Sequence, residues 1–424
     1  MKRIFLILLI VLVSGVVFGG AALYLFPYNP VEPPQVDTSG STIDGINQVI
    51  VANNKFSLDL YSKLIENEGN QDNLFFSPYS IFTAFAMAYN GADGNTAKQI
   101  KDVFYFPEDN VLNSNSAAIY TNLNKRGKEY ELRTGNALWT QKDYSFLDEY
   151  KNNIEKYFGG KAADLDFIND TENSRLTING FIEDQTNNKI KELIPSGILS
   201  PMTKLVITNA IYFKGDWEYE FDKQETRDLD FKISPEQTIK VPTMVMVSKE
   251  EDFNYLDNKD LQILELPYKD NEVSMLILLP KGDLASLESN LTLEKLDSWK
   301  NEMKETSLTN IHIPKFELDI KYTNIKEDFN EMGIIDAFNY NADFSKMNGL
   351  HDLYISNVIH QAYIKVDEKG TEAAAATSIS INGKGIANEL LTFIADHPFI
   401  FIIQEKQTGQ ILFMGRIINP IRNP

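Results

Sequence analysis

The chain contains no cysteine. Disulfides, thiolate nucleophiles, Cys-ligated metal centres and lipidated-cysteine anchors are therefore excluded, and the fold has to be held by its apolar core. Histidine is scarce: His312, His351, His360 and His397 are the only four. None sits in an H-E-x-x-H arrangement and no G-x-S-x-G elbow occurs; Gly383-Lys384-Gly385 lacks the Ser or Thr that follows the lysine of a phosphate-binding loop. Carboxylate pairs such as Glu250 and Glu251 read as solvated surface. An enzyme is not expected, nor is a metal or cofactor. Basic charge is short as well, with 40 Lys and Arg against 60 Asp and Glu, a formal net charge of −20. Such a field repels phosphate backbones, which excludes non-specific nucleic-acid binding.

What is present begins at the amino end. Lys2 and Arg3 precede an uncharged apolar run over residues 4–26, which as a helix is roughly 34 Å long and enough to cross a bilayer. With its positive end held inside, the rest of the chain lies outside. Residues 1–26 are read as an anchor, the alternative being a signal peptide cut among the small residues 20–22. Pro27, Pro30, Pro33 and Pro34, then Asp37-Thr-Ser-Gly-Ser-Thr42, make residues 27–43 a spacer that passes from stiff to flexible. No second linker and no internal repeat follows, so residues 44–424 are expected to form one domain, monomeric and large enough to bury a core without staples.

Helical periodicity runs through Val49, Ala52, Phe56, Leu60 and Leu64 and stops at Gly69. Ser77-Pro78 supplies a cap and a first-turn proline for a second helix. Further helices are expected over 96–103, 116–128, 146–158 and 173–188. Strands are expected over 204–213, 261–266, 273–279, 311–318, 359–366, 399–404 and 411–418, the last two joined by a turn at Lys406-Gln-Thr-Gly409. Helices early and strands late indicate an α+β fold with large antiparallel sheets.

One segment fits no ordinary element. Directly after a clear strand comes Glu368-Lys-Gly-Thr-Glu-Ala-Ala-Ala-Ala-Thr-Ser-Ile-Ser-Ile-Asn-Gly-Lys-Gly385. By propensity its alanines favour helix. Read with a period of two, however, one face carries Thr371, Ala373, Ala375, Thr377, Ile379 and Ile381. The other carries Glu372, Ala374, Ala376, Ser378, Ser380, Asn382 and Lys384. The first face is that of a strand half buried in a sheet. The closing Asn382-Gly-Lys-Gly385 has the composition of an exposed loop. The segment is composed to serve as both.

Gly370-Thr371-Glu372 and the four alanines after it resemble the hinge of inhibitory serpins. Asn73-Leu-Phe-Phe-Ser-Pro-Tyr-Ser-Ile81, Asn90-Gly-Ala-Asp-Gly-Asn-Thr96, Thr208-Asn-Ala-Ile-Tyr-Phe-Lys-Gly-Asp-Trp217, Ala395-Asp-His-Pro-Phe399 and Phe413-Met-Gly-Arg-Ile-Ile-Asn-Pro420 are similar to other motifs of that family, in the same order. The resemblance covers nearly all of residues 44–420. It implies a single domain with three β-sheets, about eight to nine helices and a mobile reactive-centre loop. It also implies irreversible inhibition of a serine protease: cleavage of the loop lets it enter the main sheet as an extra strand while the acylated protease is carried along.

The same resemblance makes Glu368, Gly370, Thr371, Ala373, Ala374, Ala375 and Ala376 the hinge. It places Ser77, Ser80, Asn209 and His360 in a hydrogen-bonded cluster beneath the opening sheet, and Trp217 near the point where the loop enters. Counting along the hinge as in inhibitory members puts the attacked bond between Lys384 and Gly385, which suits a trypsin-like protease with a carboxylate in its specificity pocket. The alternatives are a bond a few residues away, and a family member that binds without inhibiting. Lys125, Arg126 and Lys128 lie close to where some relatives bind polyanionic sugars, though beside Glu129 and Glu131 they are a weak signal.

Overall fold

The computed structural model describes residues 35–68, 72–125, 127–247, 251–323, 325–371 and 391–422. The expected anchor at 1–26 and residues 27–34 of the spacer lie outside the described residues, as do Ala373, Ala374, Ala375, Ala376, Lys384 and Gly385. From Gln35 onward the chain is one compact unit. No helix among the described residues is long and apolar enough to cross a membrane.

Six helices occupy the first half: α1 (Ile43–Glu68), α2 (Pro78–Gly91), α3 (Gly94–Phe104), α4 (Asp109–Leu123), α5 (Asp148–Phe158) and α6 (Thr171–Gln185). Four short ones, Leu284–Glu288, Leu293–Glu302, Lys326–Met332 and Ser345–Asn348, bring the described total to ten, slightly above the expected eight to nine. Helix α2 starts where its sequence says it should. The Ser77 hydroxyl accepts the Ser80 amide at 3.2 Å, and Pro78 fills the first turn. It is apolar on nearly every face and is buried almost throughout, the signature of a central helix.

Three sheets complete the fold. The main one contains β1 (Tyr130–Thr134), β2 (Ala137–Gln141), β3 (Lys161–Leu165), β4 (Leu205–Asp216), β5 (Phe316–Tyr322), β6 (Ile355–Asp367) and β7 (Gly370–Thr371). Its order is β5-β6-β7-β4-β2-β3, with β1 on β4. A second sheet of seven strands is centred on Phe399–Glu405 and Ile411–Ile417, and a third has four strands, Thr392–Ile394, Asn310–Pro314, Gln237–Val247 and Arg227–Ser234. The inner face of the main sheet packs on the second sheet and on α1 and α2. There Phe56 stacks on Phe104 at 4.2 Å between centroids and Phe75 on Phe413 at 5.5 Å. The outer face is covered by α6 and its return loop, where Ile178, Ile182, Ile190 and Leu193 lie in one cluster with Val206, Ala210 and Ile359.

Two expected elements differ from the observed ones. The strand expected over 311–318 is two strands in different sheets, divided at Pro314 and Lys315. The helix expected over 116–128 is α4, which begins seven residues earlier and ends at Leu123. Lys125 and Lys128 therefore lie past its end, Lys128 is ion-paired with Glu272, and Arg126 is outside the described residues.

Candidate functional site

Strands β4 and β6 run parallel and bond directly to one another from Leu205 and Ile355 up to Tyr212 and Tyr363. Above that point they part, and β7 stands between them. Thr371 pairs with Val366 on one side and Gly215 on the other; Gly370 pairs with Asp367 and Asp216. Both pairings are antiparallel, so the chain turns back after β6 and points down the seam between two strands that are closed below it. Gly370 has φ +154°, and a Cβ there would lie 2.1 Å from the Gly215 carbonyl oxygen. Only glycine fits that crossing.

The mouth of the seam is tightly furnished. Thr371 is fully buried, and its hydroxyl shares a hydrogen bond with the Tyr268 hydroxyl at 2.7 Å. Tyr268 stacks on Trp217 at 4.5 Å and meets Phe213 edge-on. Burial pushes the Tyr268 hydroxyl far above its ordinary range, so it stays a neutral hydrogen-bonding group. Trp217 donates its ring N–H to the Asp367 carbonyl at 3.0 Å and its backbone N–H to the Lys369 carbonyl at 2.6 Å. Glu368 is buried, clasped by Lys315 at 2.8 Å and by the Thr226 hydroxyl at 2.8 Å. Burial is the largest single influence on this carboxyl and works to raise its pKa. The Lys315 and Thr226 bonds outweigh it, leaving the pKa below the usual value. The turn that launches β7 is thus fixed at Asp367, Glu368 and Lys369.

Six residues further down the seam, about 20 Å at roughly 3.3 Å per residue, a second cluster bridges β4 and β6 from beneath. His360 and Asn209 are opposite each other across the closed pair. The His360 Nε2 accepts the Ser77 amide at 3.1 Å, which places the ring proton on Nδ1, where it is donated to the Asn209 Oδ1. Asn209 donates to the Ser80 hydroxyl and to the Asn136 Oδ1, both at 2.6 Å, and Ser77 donates to the Leu412 carbonyl at 2.7 Å. Ser77, Ser80, Asn209 and His360 are therefore one network. Asn136, which the sequence reading did not include, is its fifth side chain. Asn136 is buried in the short connection between β1 and β2.

This network fixes the charge state of His360. Burial lowers its pKa from 6.5 to about 3. The unfolded chain takes up that proton near pH 6.5 while the folded ring stays neutral to about 3, so the unfolded state binds more protons between those limits. The contribution to stability is complete above pH 6.5 and is lost as pH falls towards 3. Thermal midpoints measured across that window should decline with acid, at about 1.4 kcal/mol per pH unit from this group. A His360→Gln variant should show a correspondingly shallower decline.

The chain matches the family model described as Serpin (serine protease inhibitor) over residues 51–420. It is a serpin. An uncharacterized serpin-like protein of Methanosarcina mazei is 40% identical over 99% of both chains. The human leukocyte elastase inhibitor is 39% identical, covering 88% of this serpin and 100% of that protein. Among solved structures, Serpin48 of the insect Tenebrio molitor superposes with a TM-score of 0.78 at 31% identity, covering 88% of this chain and 98% of its own. Human thyroxine-binding globulin does so at 0.80 and 29%, covering 89% and 100%. These kinships support protease inhibition as the general activity of this serpin, with serine proteases as the partners of the family.

Proposed function

We propose that this serpin is an irreversible suicide-substrate inhibitor of trypsin-like serine proteases that acts by cleavage after Lys384. The observation that carries the reading is β7. Its two residues already occupy the place of an additional strand, bonded on both sides. Continued residue for residue, that register sets Ala373 and Ala375 against Ile364 and Ala362, Thr377 between His360 and Asn209, and Ile379 and Ile381 on the inner face. Small side chains lead and branched apolar ones follow. The first can pass between packed strands, and each isoleucine gains roughly 1.5–3 kcal/mol on burial. Fifteen residues from 370 to 384 span roughly 50 Å as a strand.

The chemistry is the protease's own. Its serine Oγ attacks the Lys384 carbonyl, the Lys384–Gly385 bond breaks, and the serine proton passes by way of the protease histidine to the departing Gly385 amine. An ester on Lys384 remains. Insertion of the freed strand then has to outrun its hydrolysis. For export, the reading rests on Lys2 and Arg3 ahead of the apolar run at 4–26, which would hold the serpin on the outer surface of a membrane or send it through.

Mixing residues 35–424 with trypsin tests the reading. The expected result is a 1:1 covalent complex that survives boiling in detergent, together with a released peptide that begins at Gly385. Lys384→Ala should slow complex formation with trypsin by roughly 10²–10⁴-fold, since the protease's buried carboxylate is left without its cation. Cleavage without any complex would show a substrate rather than an inhibitor.

A further inference from the structure

Where the second and third sheets meet there is a half-open cleft of about 540 Å³, a volume within the range of small-molecule sites, roughly 300–1,000 Å³. Its walls come from three places in the chain. They are the end of the strand Arg227–Ser234 with Pro235, the segment from Lys281 into the short helix Leu284–Glu288, and His397-Pro398, which carries the chain from Thr392–Ile394 into Phe399–Glu405. Ile233, Pro235, Leu284, Ala285, Pro398 and Ile418 make most of the lining apolar. None of the residues at the mouth of the seam lines it.

The charges on these walls are unevenly matched. His397 holds Nδ1 2.7 Å from the Asp396 Oδ1 and Nε2 2.7 Å from the Pro280 carbonyl oxygen. Both ring nitrogens face acceptors, so both bonds form only when the ring carries two protons and a positive charge. Burial opposes that charge. The bonds to Asp396 and Pro280 outweigh it and leave the pKa above the usual value. Asp396 also receives Lys232, at 3.4 Å. One carboxylate thus answers two cations, and a positive charge is left over. The remaining wall charges are matched or otherwise engaged. Lys281 is paired with Asp257, and Glu288 with Arg416 at 3.0 Å, while Asp283 caps its own short helix by accepting the Ser286 amide at 2.7 Å. An ammonium has three donors, so Lys232 and Lys281 can each take a further acceptor beyond the ion pair it makes.

We propose that this cleft is a binding site for a small amphipathic carboxylate, its acyl or aryl body on Ile233, Leu284 and Pro398 and its anionic head between Lys232 and Lys281. Apolar walls and surplus positive charge at one opening favour that combination. A neutral hydrocarbon leaves the charge unanswered, and a bare anion leaves the apolar walls in water. The site does not depend on cleavage at Lys384, so it stands apart from the inhibitory reading.

Calorimetric titration of the compact unit from Gln35 onward with decanoate, kept below its micellar range, tests the site. One saturable site per chain is expected. Decyltrimethylammonium, with the same tail and the opposite head, should bind at least about tenfold more weakly. Gly282 offers a way to fill the cleft, because it is a lining residue and a Cβ added there meets no atom within 4 Å. Gly282→Phe should keep the wild-type thermal midpoint and weaken decanoate by at least about tenfold. Ala285→Trp, at an exposed position of the short helix, should do the same. Lys232→Met should weaken decanoate by roughly two- to fivefold, the worth of a partly exposed charge pair. Absence of saturable binding overturns the site, as does decanoate that binds the two filled variants as it binds the wild type. Equal affinity for the two head groups overturns the carboxylate.

Discussion

Thr371→Arg is expected to convert this serpin from inhibitor to substrate. The variant should still be cut after Lys384, but the yield of detergent-resistant complex per cleavage should fall by at least about tenfold. The cause is steric and electrostatic at one position. Thr371 is fully buried between Val366 and Gly215, with its hydroxyl on Tyr268. A guanidinium there is bulkier than the threonine and brings a charge to a site whose partner is a neutral tyrosine hydroxyl. Glu368 is already taken by Lys315 and Thr226 and belongs to the turn above. Leaving a charge unpaired in such a place is worth several kcal/mol, and every 1.4 kcal/mol is about a tenfold shift. The chain's cheapest response is to withdraw β7 from the seam, so that insertion starts from further back and loses its race with deacylation. Thr371→Ser, which keeps the hydroxyl and loses only a methyl, should inhibit nearly as the wild type does. A densitometric ratio of complex to cleaved product, read against protease added, measures both. Normal inhibition by the arginine variant would show that this loop does not work by insertion at β7.

The same threonine illustrates what a sequence discloses and what it withholds. The alternation from Thr371 to Lys384 is a period-two signal, and a period of two speaks of faces without saying which strands will flank them. That information lies in the pairing of β6 with β4, two segments separated by well over a hundred residues. Local chemistry was legible: Ser77-Pro78 is a cap because capping involves neighbours only, and α2 begins there. Helix α4 was misplaced because Asp109-Asn-Val-Leu-Asn-Ser-Asn-Ser116 has poor intrinsic helicity. It is helical nonetheless because Leu112 is buried in the core and Asn115 accepts the Thr42 amide at 2.8 Å while donating to the Val111 carbonyl at 2.6 Å. Tertiary contacts overrode propensity.

The mouth of the seam shows the same divide. Trp217 and Glu368 could be placed there through resemblance to a family. Tyr268, Lys315 and Thr226, which hold Thr371 and Glu368, stand on three other segments and carry no local sign of their role. In the strand pair Arg227–Ser234 and Gln237–Val247, many residues are charged or half exposed. Such strands give the hydrophobic pattern little to register.

Cleavage of the loop at Lys384, by a protease used in trace amounts and then removed, should raise the thermal midpoint by roughly 10–20 °C. Below Thr371 the intact chain has β4 and β6 bonded to each other in parallel, the slightly weaker of the two ladder geometries. Insertion would replace that single ladder by two antiparallel ones, each net hydrogen bond being worth about 0.5–1.5 kcal/mol. On that reading Ile379 and Ile381 would gain burial as well. The His360–Asn209 bond is the local obstacle. It spans the seam where Thr377 would have to pass, inside a network in which each of the five side chains is buried. Breaking it before the threonine hydroxyl is in position would leave buried polar groups unpaired, at about 1–3 kcal/mol each, and on the insertion reading this barrier, rather than the lowest energy, is what keeps the chain in the intact form. Two measurements follow from one structure. The midpoint of the nicked protein reports the depth of the lower state. The rate at which the intact protein converts on warming reports the height of the barrier, and Asn209→Ala should raise that rate while leaving most of the gain on cleavage in place. A nicked protein that melts where the intact one does would mean that no deeper state lies behind this barrier.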